Sequence, residues 1–174
     1  GGGTVREYAM GESMGEPTEE QLAEMRRITA ESMEDGAFGV ASALIYPPNI
    51  YSSTHELTEV MKVVAAYNGV HITHHLQMFS PFYQNPIFRL LEALQETIGI
   101  AKDSGVITEI YHLKASGKGS WEFMPAVIER ITEARAQGLD IAADMYPYEA
   151  SGTGLSSSVP AWAAADGKLF ENLR

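Results

Sequence analysis

Four short apolar runs, each bounded by a stretch of helical periodicity, narrow the folds open to this chain more than any other feature. They are residues 37–46 (AFGVASALIY), 70–74 (VHITH), 106–113 (VITEIYHL) and 139–148 (LDIAADMYPY). All are too short and too rich in β-branched or small residues for helices, so each reads as a strand. The first is apolar on both faces and halted by Pro47-Pro48, the pattern expected of a parallel strand covered on both sides.

The intervening stretches carry helix signals. Thr18 opens the first, over 18–35; Gln21 completes a capping box, Glu19 and Glu20 face the positive end of the dipole, and Gly36 ends it. Leu22, Met25, Ile28 and Met33 form its apolar stripe. The second, 55–67, is expected to be capped by Thr54, with Leu57, Val60, Met61 and Val64 on one stripe and Asn68-Gly69 at its end. Helices over 86–104 and 122–136 stop at Gly105 and Gly138, and 116–120 reads as a flexible connection. Residues 1–16, with four glycines before Glu12 and no sustained period, read as an entry loop. Residues 149–174 read as a loop or the start of an insertion.

Alternation at roughly 30 residues per unit makes the fold class α/β and leaves two architectures. An open doubly wound sheet usually carries Gly-x-Gly-x-x-Gly after its first strand, and that pattern is absent from every strand-to-helix turn; Gly117-Lys118-Gly119 is too short a match. A (β/α)8 TIM barrel sends every strand end to one rim, which is how Tyr46, His74, His112 and Tyr146 are spaced. The expectation is a single, incomplete barrel domain over 1–174, of about four βα units. Half a barrel leaves two apolar strand edges, at 41–45 and 141–146, so the isolated chain is predicted to self-associate or to be poorly stable.

Composition excludes several functions. Twelve Lys and Arg against 23 Asp and Glu give a formal charge of -11, which repels nucleic acid and anionic membranes alike. Without cysteine, a metal in this segment must be held by histidine and carboxylate. No run approaches the roughly 18 apolar residues of a membrane span, and the first residues carry no secretion signal, so a cytoplasmic location is the default.

The chemistry-bearing residues sit at strand ends. Simple alternation puts His112 and Lys114 on one face with Thr108 and Ile110, so an imidazole and an ammonium leave the strand together. His74 ends a second strand, and Asp144-Met145-Tyr146-Pro147-Tyr148 a third. His71 and His75 lie on the face opposite His74 and His55 in a helix's first turn, so these three read as structural. Asp144 lies two residues short of its strand's exit and reads as orienting a neighbour rather than ligating. The aromatic loop 77–85 reads equally as a pocket wall or as packing.

Thr73-His74, Tyr111-His112-Leu113-Lys114, the run ending Leu44-Ile45-Tyr46-Pro47-Pro48, and Asp144 to Tyr148 followed by Ser151-Gly152-Thr153-Gly154-Leu155 occur in that order. Together, from about Thr4 to Trp162, they resemble the N-acyl-D-amino-acid deacylases (D-aminoacylases) of the metal-dependent amidohydrolase superfamily. The resemblance implies strands four to seven of a (β/α)8 barrel, with His74 and His112 as metal ligands on strands five and six. It implies that Lys114 and Tyr46 hold the substrate carboxylate and that Tyr146 and Ser151 complete the pocket. The cofactor implied is zinc, which activates a water to hydrolyse the amide of a small-molecule N-acyl-D-amino acid.

The family's His-x-His pair, its bridging cysteine and its catalytic aspartate fall outside this segment, so no catalytic residue is expected within it. Where the family usually has an arginine two residues after the strand-five histidine, this chain has Leu76, and glycine stands near position 2 where relatives often carry histidine. A cyclic-amide hydrolase of the same superfamily is the near alternative, but such enzymes often end strand four in a carbamylated lysine, and Tyr46 stands there. The alternative from another class is a catalytically inactive fragment or self-associating scaffold.

Overall fold

The β-branched and small residues of the four runs lie side by side as β1 (Gly39–Ala43), β2 (Val70–His74), β3 (Ile107–Ile110) and β4 (Ile141–Ala143). They form one parallel sheet in the order β1-β2-β3-β4, with Gly39 opposite Val70, Val70 opposite Ile107, and Thr108 opposite Ile141. The computed structural model describes residues 1–74, 86–115, 117–150, 152–154 and 159–173, without the side chains of 86–89.

Consecutive parallel strands need a crossover on every step, and the crossovers here are α3 (Thr54–Ala66), α4 (Pro86–Ser104) and α5 (Met124–Ala136). Burial shows where they pack. Val40, Ser42, His71, Thr73, Thr108, Ile110 and Ile141 are buried on the helix side, whereas Ala41, Ile72 and Ala142 on the other face are exposed. One-sided coverage with an unbroken strand order is the layout of a barrel arc, not of a doubly wound sheet, whose helices cover both faces. It also corrects the expectation for β1: Val40 and Ser42 are buried but Ala41 is not, because no second layer lies over that face among the described residues.

The helix signals are borne out, with two changes at the ends. In α2 (Glu19–Glu34) the capping box forms in both directions, Gln21 N–H donating to Thr18 Oγ1 at 3.2 Å and Thr18 N–H to Gln21 Oε1 at 2.9 Å. Leu22, Met25 and Met33 enter the core beside Leu57, Val60, Met61 and Val64 of α3. At α3 the cap is Ser53 and not Thr54: the Glu56 N–H donates to Ser53 Oγ at 3.2 Å, and Thr54 is already helical. A 3-10 helix, Lys118–Phe123, precedes α5 where a flexible connection was expected. A second core lies under β3 and β4, built from Leu90, Leu94, Ile110, Val127 and Ile141.

Residues 2–10 are the larger correction. The expected entry loop is a helix, α1 (Gly2–Met10), and long-range contacts hold it. Arg6 is 1% exposed and ion-pairs with Glu56 of α3, while its other guanidinium nitrogen donates to the carbonyls of Ser13 and Gly15 at 3.2 and 2.7 Å. Gly2 lies against the strand: a Cβ there would sit 3.0 Å from Asn49 Oδ1 and 3.4 Å from the Ala41 carbonyl oxygen. Glycine suits that approach, so the residues that hid the helix from periodicity are the ones that let it dock. At the other end, 3-10 turns within Ala161–Gly167, broken by non-helical backbone at Ala165 and Asp166, and α6 (Leu169–Asn172) occupy part of the stretch read as a loop.

Candidate functional site

The carboxyl ends of β1, β2, β3 and β4 bring five of the six predicted residues to one place. His74, the last residue of β2, meets His112 edge-on, with ring centroids 4.4 Å apart at 82°. Tyr46 stacks over His74 at 6.3 Å, Tyr146 lies 6.0 Å from His112, and Lys114 Nζ is 4.9 Å from the centre of the Tyr146 ring. These residues and Thr153 line a cavity of about 360 Å3, a volume suited to a small molecule. Ser151, expected to help complete the pocket, lies outside the described residues, as do His75 and the aromatic loop 77–85.

Strand alternation does not explain how His112 gets there. The register puts Ile72 opposite Glu109 and Thr73 opposite Ile110, so by parity position 112 belongs with Thr108 and Ile110 on the helix side, away from His74. The structure departs from that expectation because β3 stops at Ile110. Tyr111 and His112 form a turn, with His112 at φ 43°, and this left-handed residue swings the imidazole to the open face. His71 keeps its parity: it is fully buried, with Nε2 2.8 Å from Ser42 Oγ, a structural contact. His55 lies exposed in the first turn of α3.

Lys114 Nζ lies 2.6 Å from His112 Nδ1 and donates to the His112 carbonyl at 3.2 Å. An ammonium can only donate, so Nδ1 accepts and the hydrogen of the neutral ring is left on Nε2. Burial, then the neighbouring His112 and Lys114, pushes the His74 pKa down to about 4. Burial also lowers that of His112; Lys114 adds to this and Asp144 opposes it. Both imidazoles therefore keep their lone pairs at neutral pH, the protonation state a metal ligand needs.

Among the described residues the buried Nδ1 of His74 has no hydrogen-bond partner, an orphaned acceptor or donor of the kind that ligation satisfies. The two rings fit two positions of a metal's ligand set. Among the described residues no group of three or more His, Cys, Asp or Glu converges, so the pair is short of the three protein ligands of a catalytic zinc. Asp144 does not face the cavity as a ligand; its Oδ1 accepts from the His112 N–H at 2.6 Å. Two contributors escaped the reading of the sequence as site residues. Thr153 Oγ1 is 2.6 Å from the Tyr46 hydroxyl, and Tyr148 extends the aromatic wall 6.2 Å from Tyr146. Thr153 reaches Tyr46 only when the segment after β4 folds back to the exit of β1, which no local pattern signals.

Four parallel strands in sequence order, with helices on one face among the described residues, match part of the α/β barrel of solved D-aminoacylases. Within that class the likeness is to D-aminoacylases. The chain is 30% identical over 153 residues to a D-aminoacylase of Alcaligenes xylosoxydans xylosoxydans, and 29% identical over 153 residues to an N-acyl-D-glutamate deacylase of the same organism. In both cases the similarity covers 88% of this chain and 30% of the relative.

The crystal structure of N-acyl-D-glutamate deacylase from Bordetella bronchiseptica, complexed with zinc and a phosphonate inhibitor, superposes with a TM-score of 0.75 at 27% identity. That match covers 84% of this chain and 29% of the deacylase. A D-aminoacylase structure described for the functional role of its binuclear metal centre gives a TM-score of 0.73 at 27% identity, covering 84% of this chain and 29% of that protein. An L-hydantoinase from Arthrobacter aurescens shares the fold at a TM-score of 0.51 and 22% identity, covering 75% of this chain and 31% of its own. No family model matches. The chain thus spans about 30% of the length of the deacylases it is similar to.

Proposed function

We propose that this chain supplies the metal-holding and carboxylate-holding rim of a zinc-dependent deacylase acting on N-acyl-D-amino acids. The observation that carries the reading is the edge-on pair of His74 and His112 in one cavity with Lys114 and Tyr46. Its likeness to a deacylase crystallised with zinc and a phosphonate supports the choice of zinc and of an amide substrate.

In this reading His74 and His112 would each give one neutral ring nitrogen to the ion. When bound, zinc supplies Lewis-acid polarisation of the amide carbonyl and a water acidified toward neutrality. Lys114 turns its ammonium from His112 Nδ1 to the carboxylate that every N-acyl amino acid carries, which fixes the scissile amide relative to the rim. The Tyr46 hydroxyl, held by Thr153, offers a second bond to that carboxylate, and Tyr146 bounds the rest of the substrate. Lys114 then has two roles in sequence: it caps the imidazole before ligands arrive and grips the substrate afterwards.

The test is zinc content and turnover of the intact protein. Stoichiometric zinc, hydrolysis of N-acetyl-D-amino acids in preference to their L isomers, and loss of both in a His74→Ala, His112→Ala double variant are expected. A protein that takes up no zinc and hydrolyses neither isomer would instead be a non-catalytic relative, the reading favoured by the absence of a third converging ligand among the described residues.

A further inference from the structure

We propose that Asp144 is the positioning residue that turns His112 toward His74, acting on the backbone of His112 and not on its ring. This rests on the assignment of His112 to the metal site. Three bonds tie Asp144 to the turn: its carboxylate accepts from the His112 N–H at 2.6 Å, its carbonyl accepts from the Leu113 N–H at 2.7 Å, and its N–H donates to the Ile110 carbonyl at 3.1 Å. Two of these extend the pairing of β4 with β3 past the last strand residue. The third is a side-chain bond, which holds the amide of a residue whose φ of 43° most side chains avoid.

The geometry explains why a side chain is needed. If β3 continued in extended form, position 112 would follow Thr108 and Ile110 to the helix side, and the two imidazoles would sit on opposite faces of the sheet. A left-handed conformation is costly for a residue with a Cβ, and a charge-assisted bond from its own N–H to a carboxylate offsets that cost. Asp144 directly follows β4, so it can hold the turn only when β3 and β4 are paired in register. The site is thereby coupled to correct closure of the sheet.

The experiment compares Asp144→Ala and Asp144→Asn in the intact protein, since the Asn carbonyl oxygen can still accept the same N–H. In metal-free protein the nuclear Overhauser contact between the His74 and His112 rings is expected to be lost in the Ala variant and kept in the Asn variant. Zinc affinity, measured by chelator competition, is expected to fall about 10- to 100-fold in the Ala variant and by less than about threefold in the Asn variant. A ring contact that survives in the Ala variant overturns the proposal, and so does an Asn variant as impaired as Ala. Wild-type protein that shows the ring contact but takes up no zinc rejects the metal reading alone, and the ring contact in the variants still decides the role of Asp144.

Discussion

Lys114 illustrates how much of a residue's role depends on its immediate neighbours. On a surface it would be an ordinary solvated lysine; here its ammonium rests 2.6 Å from an imidazole nitrogen and 4.9 Å from the centre of a tyrosine ring. If its task is to grip a substrate carboxylate, its removal costs one charge-assisted bond of about 1.5–3 kcal/mol. In the intact protein, Lys114→Met should raise the KM for N-acyl-D-amino acids roughly 10- to 100-fold while zinc affinity holds or rises, because His112 Nδ1 is released. An unchanged KM would remove Lys114 from the substrate site. That a histidine and a lysine lie close together past the end of a strand was legible from sequence order; which way the histidine turns was not, since its N–H is held by a partner 32 residues away.

At the scale of elements, local chemistry set helix ends and non-local contacts set strand limits. The capping box at Thr18 and Gln21 formed as read because all of its atoms lie within one turn. Gly39 is different: it faces Val70 across the β1–β2 pairing, and a Cβ there would fall 1.9 Å from the Val70 carbonyl oxygen. Gly39→Ala should therefore displace β1 from β2, with a stability loss of about 3 kcal/mol or more in urea unfolding. Gly36→Ala is the control: its φ is 98° with nothing within 4 Å, so only backbone strain of about 1–2 kcal/mol is expected. Equal losses at the two positions would mean that the close approach to Val70 is not what Gly39 provides. Nothing in the sequence around Gly39 marks it as the one that must admit a neighbouring backbone.

For the molecule as a whole, the open face and the edges of the sheet are the unfinished business of an arc. Apolar edges at both outer strands were expected, and α1 changes that picture on one side. The Leu44 N–H donates to the His74 carbonyl and the Val70 N–H to the Phe38 carbonyl, so the Ala41 carbonyl points away from β2, and the first residues of α1 lie over it. At β4 Ala142 and Ala143 are exposed beside an edge that pairs only with β3 among the described residues. Association of the 174-residue chain should therefore run through β4. Sedimentation is expected to show concentration-dependent oligomers that Ala143→Lys weakens, and a monodisperse monomer with cooperative unfolding would refute it.

From sequence alone came the α/β class, the order of strands and helices, the apolar stripes of α2 and α3, and the candidates at the strand ends. All of these follow from periodicity and capping, which act over a few residues. Tertiary structure decided that residues 2–10 form a helix, that Ser53 caps α3, that among the described residues one face of the sheet is covered and the other open, and that His112 turns to meet His74. Those outcomes depend on partners far along the chain, Glu56 for Arg6 and Asp144 for His112, whose bonds exist only once the elements have packed.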